Sequence, residues 1–218
     1  VFEGAGQLPK FFDIIYRDAE EDFMLLGTAE IALTNIHRDE ILNEDDLPLK
    51  YVAYTPCFRR EKMSAGKDVR GIKRGHQFDK VEIVIIEEPQ NAMNALDSMV
   101  DHVKSILNEL GLPYRILKLC GGDLGFTSAL TYDFEVYSTA QQRWLEISSV
   151  STFNSFQAER LQLRYKDKEG KKQSVHTLNG SSLALPRVIA GLLENFQTVE
   201  GIKIPKVLVP YTGFDLRN

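Results

Sequence analysis

Between residues 55 and 88 the chain reads TPCFRREKMSAGKDVRGIKRGHQFDKVEIVIIEE, and here Arg59, Arg60, Arg70 and Arg74 stand among Glu61, His76, Phe78 and Glu82. Each guanidinium offers a planar fork of donors that matches phosphate or carboxylate oxygens. The interleaved carboxylates suit an amino group, and an aromatic ring suits the face of a nucleobase. Together they point to a small anionic ligand carrying an amine or a base. A solvated charged hairpin is the competing reading, since most charge runs are no more than that. The chain as a whole has a net charge of −5, so its cations are local and fit a focused ligand better than a long phosphate backbone.

The elements that must position these groups follow from periodicity and punctuation. Residues 50–58 and 81–86 are β-branched or aromatic runs bounded by Gly, Lys and Asp, which predicts two strands joined by a long basic loop. Residues 4–12 read as a loop and residues 23–26 as a short strand. Gly27-Thr28 then opens a helix whose apolar face is Ile31, Leu33, Ile36, Ile41 and Leu42. Thr28 and Glu30 would cap that helix and offset its dipole if they did nothing else. After Pro89, the spacing of Met93, Leu96, Met99, Val100, Val103, Ile106, Leu107 and Leu110 predicts a helix stopped by Gly111 and Pro113. Its methionines read as core filler, and His102 has no assigned role. Strands are expected over residues 114–119, 132–137 and 143–150, with a Gly-rich irregular segment over residues 120–127. One or two helical turns should follow over residues 156–163, then an exposed lysine-rich turn at residues 166–172. Residues 174–178 read as extended, Asn179-Gly180 as a turn, and residues 183–196 as a helix with Pro186 in its first turn. Strands with few crossover helices predict an α+β fold: an antiparallel sheet flanked by helices.

The 218 residues suit one domain with a sizeable core, assigned here to residues 1–218. Hydrophobic residues make up 43% and charged residues 26%, as in ordinary soluble globular chains. No apolar run reaches membrane-spanning length and no signal peptide is visible, so no membrane partner is expected. Cys57 and Cys120 have no close Cys or His partner and read as buried thiols, in keeping with a reducing cytoplasm.

The wording of several segments is more specific than their composition. FRRE, SAGKDVRG and HQFDKVE resemble the second signature motif of class II aminoacyl-tRNA synthetases, in the form carried by seryl-tRNA synthetases. GTAEIALTNIHRDEIL resembles that family's serine-binding TAE segment, WLEISSVSTFNSFQAERLQLRY its EISS segment, and HTLNGSSLALPRVIAGLLENFQ its third signature motif. The resemblance runs from GAGQLPKF near the start to VLVPY near the end. It implies the class II catalytic fold and a two-step reaction: L-serine and ATP give seryl-adenylate, and the seryl group passes to tRNA(Ser), and also to tRNA(Sec). Such chemistry needs no enzyme nucleophile; it needs positioning and charge neutralisation on an in-line phosphoryl centre.

Residue by residue, the resemblance implies that Arg59 bridges the serine carboxylate and the α-phosphate. Glu61 contacts the adenine side, Phe78 stacks on the base, and Arg74 reaches the terminal phosphates. Arg187 lies near the base and the γ-phosphate, so Arg59, Glu82 and Arg187 form the expected catalytic set. Arg60, Gly75, Ile147 and Ser148 complete the implied ATP contacts, although Arg60 and Arg70 equally suit surface or tRNA-facing roles. Glu82 is expected on the serine ammonium, with Thr28, Ala29 and Glu30 beside it, and Asn179 and Ser181 on the hydroxyl. A partnership of Glu82 with Lys80 or Arg74 is the alternative. Glu146 and Ser149 are hard oxygen donors suited to magnesium on the ATP phosphates, but strand alternation puts i and i+3 on opposite faces, so a bulge is required between them.

Seryl-tRNA synthetases also carry an N-terminal helical arm that grips tRNA, and a first signature motif at a homodimer interface. Neither is found in these residues, which places the dimer in the full-length protein and predicts weak activation by this segment alone. Gly75 stands where a larger residue is expected. Two other readings compete: a ligase that charges a carrier protein, disfavoured by the lack of a Cys/His zinc trio, and a catalytically silent binding module, disfavoured because Arg59, Glu61, Glu82 and Arg187 all stand.

Overall fold

In a computed structural model that describes residues 1–62 and 71–217, the two strands predicted around the basic loop pair with each other along their whole length. They are β2 (Leu49–Phe58) and β3 (Gln77–Glu87), preceded by α1 (Glu30–Thr34) and β1 (Ile41–Asn43). The chain continues through α2 (Ala92–Leu110), β4 (Tyr114–Lys118), β5 (Leu130–Ser138), β6 (Arg143–Thr152) and α3 (Phe156–Leu161). After β7 (Arg164–Lys166) and β8 (Lys172–Ser174) come β9 (His176–Ala184) and α4 (Leu185–Asn195). Short pieces close it: β10 (Gln197–Thr198), β11 (Gly201–Lys203), α5 (Val209–Thr212) and β12 (Leu216–Arg217). Arg70 lies outside the described residues.

The main sheet has six strands in the order β2-β3-β9-β6-β5-β4, each pair antiparallel, as an α+β fold requires. One face carries Ile85, Phe134, Val136, Ile147, Val150 and Leu178 against Leu96, Met99, Val103 and Leu107 of α2 and Val188 of α4. These α2 residues are the helical stripe expected from the sequence, and the helix stops at Gly111 as predicted. The opposite face is polar: Lys80, Glu82, Thr131, Asp133, Ser149, Ser151, Asn179 and Ser181 line a cavity there, with Phe2, Ile15 and Ile31 of a small second core beside it. A buried polar sheet face is costly unless its groups pair or hold a ligand.

Four expectations are corrected. The helix opening near Thr28 ends at Thr34, because the Asn35 amide turns back to the Ile31 carbonyl (2.7 Å) and to Val1 (3.0 Å); Ile36 and Ile41 are exposed, and Ile41 belongs to β1. Asn179-Gly180 is not a turn but the middle of β9, a central strand. Glycine fits the close packing there: a Cβ would stand 3.0 Å from Met99 Cε and 3.1 Å from Val150 Cγ2, so a larger residue would push those side chains aside. Residues 23–26 form no strand, only a bridge between Arg17 and Met24. Cys57 is buried as expected, whereas Cys120 is exposed because it opens the irregular Gly-rich segment, with its thiol 3.6 Å from Asp123.

Candidate active site

The polar sheet face encloses a cavity of about 560 Å³, within the range of small-molecule sites. Alternation along β3 sends Lys80 and Glu82 to the same side, where both are buried. Lys80 Nζ pairs with Glu82 Oε2 and donates to Thr28 Oγ1 at 2.8 Å. Asn179 Nδ2 bridges two carboxylates, donating to Glu82 Oε1 at 2.8 Å and to Glu30 Oε2 at 2.9 Å. The other Glu30 oxygen accepts from Gln157 Nε2 at 2.7 Å, and Ser181 Oγ stands 3.5 Å from Glu82 Oε2. Thr28, Glu30, Glu82, Asn179 and Ser181 thus come together as the sequence implies, but the Asn179 amide serves the carboxylates and has no N–H left for a ligand hydroxyl. Both readings of Glu82 meet here: it faces the cavity and is paired with Lys80. Ala29 is buried beneath, between Thr28 and Glu30.

A smaller hollow of about 230 Å³ opens alongside, lined by Phe78, Gly75, Ile147, Ser148, Pro186 and Arg187. Arg59, Glu61, Arg74, Lys80, Glu146 and Ser181 line both hollows. Arg59 follows the end of β2; its Nε donates to the Gly27 carbonyl at 3.1 Å and its guanidinium carbon lies 5.2 Å from the Phe78 ring centre. Arg74 Nε pairs with Glu61 at 2.7 Å. Arg187 is anchored by the carbonyls of Lys73 (3.1 Å) and Glu146 (2.6 Å). Lys73 in turn pairs with Glu194 of α4, latching the loop root to the helix. Arg60 lines neither hollow; its backbone N–H donates to Ile14. The larger residue expected at Gly75 has no room, since a Cβ would stand 2.8 Å from the Gln77 carbonyl oxygen.

The bulge that Glu146 and Ser149 require is present. On β6, Ser148 pairs with Phe134 and Glu146 with Glu135, so Ile147 is the extra residue. Ile147 and Val150 therefore share the core face while Glu146 and Ser149 share the cavity. Asp133 sits across from Ser149, and one of its oxygens is buried without a hydrogen-bond partner. Lys80, Gln157 and Asp133 were missed as site residues. Their signal was the periodicity of polar residues in strands 80–82, 131–133 and 149–151, and for Gln157 a polar side chain on an otherwise apolar helical turn.

Burial, reinforced by the charge of Glu82 and opposed by Gln157, Lys80 and Arg59, pushes the Glu30 carboxyl up to about 7. Burial, with the charge of Glu146, pushes Asp133 to about 6. Both folded values exceed the ordinary ones of 4.5 and 3.8, so the folded chain holds these protons more tightly than the unfolded chain. Their contribution to stability is therefore full below those ordinary values and is lost as pH rises towards the folded ones. The urea midpoint of the ligand-free chain should accordingly fall as pH rises from about 4.5 to 7, and Glu30→Gln should flatten that slope. An unchanged slope in the variant would refute the assignment.

The geometry combines an acidic amine-sized recess with an arginine-edged slot closed by an aromatic ring. The family model for the tRNA synthetase class II core domain (G, H, P, S and T) matches residues 12–196, and the chain belongs to this family of class II synthetase catalytic cores. Curated relatives that it resembles include serine–tRNA ligases. That of Roseiflexus sp. (strain RS-1) is 54% identical over 212 residues, covering 96% of this chain and 50% of the relative; that of Akkermansia muciniphila is 54% identical over 214 residues, covering 98% and 50%. The chain thus spans about half the length of the curated relatives it matches. Among solved structures, seryl-tRNA synthetase from Pyrococcus horikoshii complexed with ATP superposes with a TM-score of 0.93 at 41% identity, covering 97% of this chain and 48% of that one. The cytoplasmic serine–tRNA ligase of Naegleria fowleri in complex with AMP gives 0.90 at 31% identity, covering 100% and 53%. Among the described residues, no helix is long and apolar enough to cross a membrane.

Proposed function

We propose that this chain is the catalytic part of a serine–tRNA ligase. In the first step a serine carboxylate oxygen attacks the α-phosphorus of ATP and pyrophosphate leaves. In the second a terminal hydroxyl of tRNA(Ser) attacks the seryl carbonyl and AMP leaves. The observation that carries this reading is the recess in which Glu82 and Glu30, tied by Asn179, face Thr28 and Ser181 immediately beside Arg59. Lys80 offsets Glu82, and Glu30, whose raised pKa falls when a cation stands beside it, leaves a place for one ligand ammonium. Arg59, shared by both hollows, is placed for the joined carboxylate and α-phosphate. Phe78 and Arg187 suit the base in the second hollow, with Arg74 towards the terminal phosphates. A hydroxyl that meets Thr28 and Ser181 leaves polar groups unpaired when it is missing, which separates serine from alanine.

Magnesium fits the donors present. Glu146, which lines both hollows, and Ser149 and the unpartnered oxygen of Asp133 in the larger one are hard oxygen groups, and this ion takes one or two protein carboxylates beside phosphate oxygens and water. It would supply charge neutralisation on the phosphates. The ligase acts as a homodimer in the cytoplasm in this reading. The test is serine-dependent ATP–pyrophosphate exchange on this chain and on an N-terminally extended form, with threonine and alanine as controls. Exchange specific to serine is expected, weaker in the shorter form; none from the extended form sinks the proposal.

A further inference from the structure

Lys80 lies outside the residues that the family motifs implied, yet it lines both hollows and its ammonium is the buried cation between the Thr28 hydroxyl and the Glu82 carboxylate. The groups around it come from every neighbouring element. Glu30 is on α1, Glu82 on β3, Asn179 and Ser181 on β9, Gln157 on α3, and Arg59 beyond the end of β2. Of these, Gln157 and Asn179 are neutral amides that donate to Glu30, so they hold its carboxylate without changing the charge. Arg59 edges towards the second hollow, against Phe78. Within the recess Lys80 offsets Glu82, while Glu30, its carboxyl pushed up to about 7, gives up its proton when one ligand ammonium stands beside it.

We propose that Lys80 is a specificity-determining residue: its ammonium sets the recess to accept an amino acid with a single ammonium and to reject one whose hydroxyl is replaced by a second. The inference rests on the serine-activating reading above. A second ammonium brought near Thr28 would face Lys80 directly, and like charges juxtaposed in a desolvated site are the repulsive element by which such sites discriminate. Removing the Lys80 charge deletes that element and leaves two carboxylates to share two ammonium groups.

The probe is 2,3-diaminopropionate, a serine analogue with an amine in place of the hydroxyl, assayed at mildly acidic pH in ATP–pyrophosphate exchange beside serine. In Lys80→Met and Lys80→Gln the preference for serine over the diamine, as a ratio of kcat/KM, should fall by about tenfold or more. A merely structural role would lower both substrates alike and leave the ratio unmoved. Because the single variants strand Glu82, circular dichroism checks their fold, and Lys80→Arg, which keeps a cation beside Glu82, provides the conservative rescue. Lys80→Arg is expected to keep serine ahead of the diamine. Folded single variants with the wild-type ratio, or a Lys80→Arg variant that prefers the diamine, overturn the inference while leaving serine activation intact. A wild-type chain, in its extended form, that activates neither amino acid overturns both.

Discussion

Arg59→Ala should lower serine-dependent ATP–pyrophosphate exchange by about a thousandfold, the scale at which arginines act on phosphoryl transition states. The position is fixed from two sides, by the Gly27 carbonyl on Nε and by the Phe78 ring beneath the guanidinium. Both hollows meet there, so the residue is placed where the carboxylate of one ligand must reach the α-phosphate of the other. Arg59→Lys should recover little, since an ammonium is a single point of charge without the planar fork. The loss should fall chiefly on kcat, because charge that builds on the phosphoryl oxygens during transfer is what the guanidinium neutralises. Exchange within tenfold of wild type in a folded Arg59→Ala chain would remove Arg59 from the chemistry.

The second large effect is on stability and on serine together. Glu82 is completely buried against Lys80, and Glu82→Ala strands that ammonium in the sheet interior. Removing one partner of a buried ion pair costs about 3–5 kcal/mol, a large fraction of the stability of a domain this size. Urea unfolding of Glu82→Ala should show that loss as a lowered midpoint, and serine exchange should disappear even where the chain remains folded. Adding Lys80→Met to Glu82→Ala should return most of the stability and none of the exchange. That separation divides the structural part of Glu82 from its part in holding the substrate. A cost below about 1 kcal/mol for the single variant would mean that the pair is far wetter than its burial indicates.

Local rules made the framework legible. The stripe from Leu96 to Leu110 and the β-branched runs on either side of the basic loop each obey one periodicity, and the structure follows them. Where tertiary context overrode local preference, the reading failed. Asn179-Gly180 is a strong turn signal, yet its glycine is held in a central strand by Met99 and Val150, which are far away in sequence. Asn35 ended a helix that apolar spacing would have extended. In the site, the residues named from motifs came together almost completely, because motif residues are those whose chemistry is tied to a fixed local geometry. Lys80, Gln157 and Asp133 escaped because their roles arise only when α3, β3, β5 and β9 are assembled. A polar residue on a strand carries no mark of which face it will show until the sheet has neighbours.

The extra residue at Ile147 has a consequence for how β6 can change over generations. Deleting it would keep Ser148 opposite Phe134 and Glu146 opposite Glu135, so residues 143–146 would hold their faces and Glu146, then two positions from Ser149, would still line the cavity. What the chain would lose is one apolar side chain from the core and the local bend of the strand. A mutational library should accordingly treat loss of Ile147 much as it treats Ile147→Gly, as a packing defect and not as a slip of register.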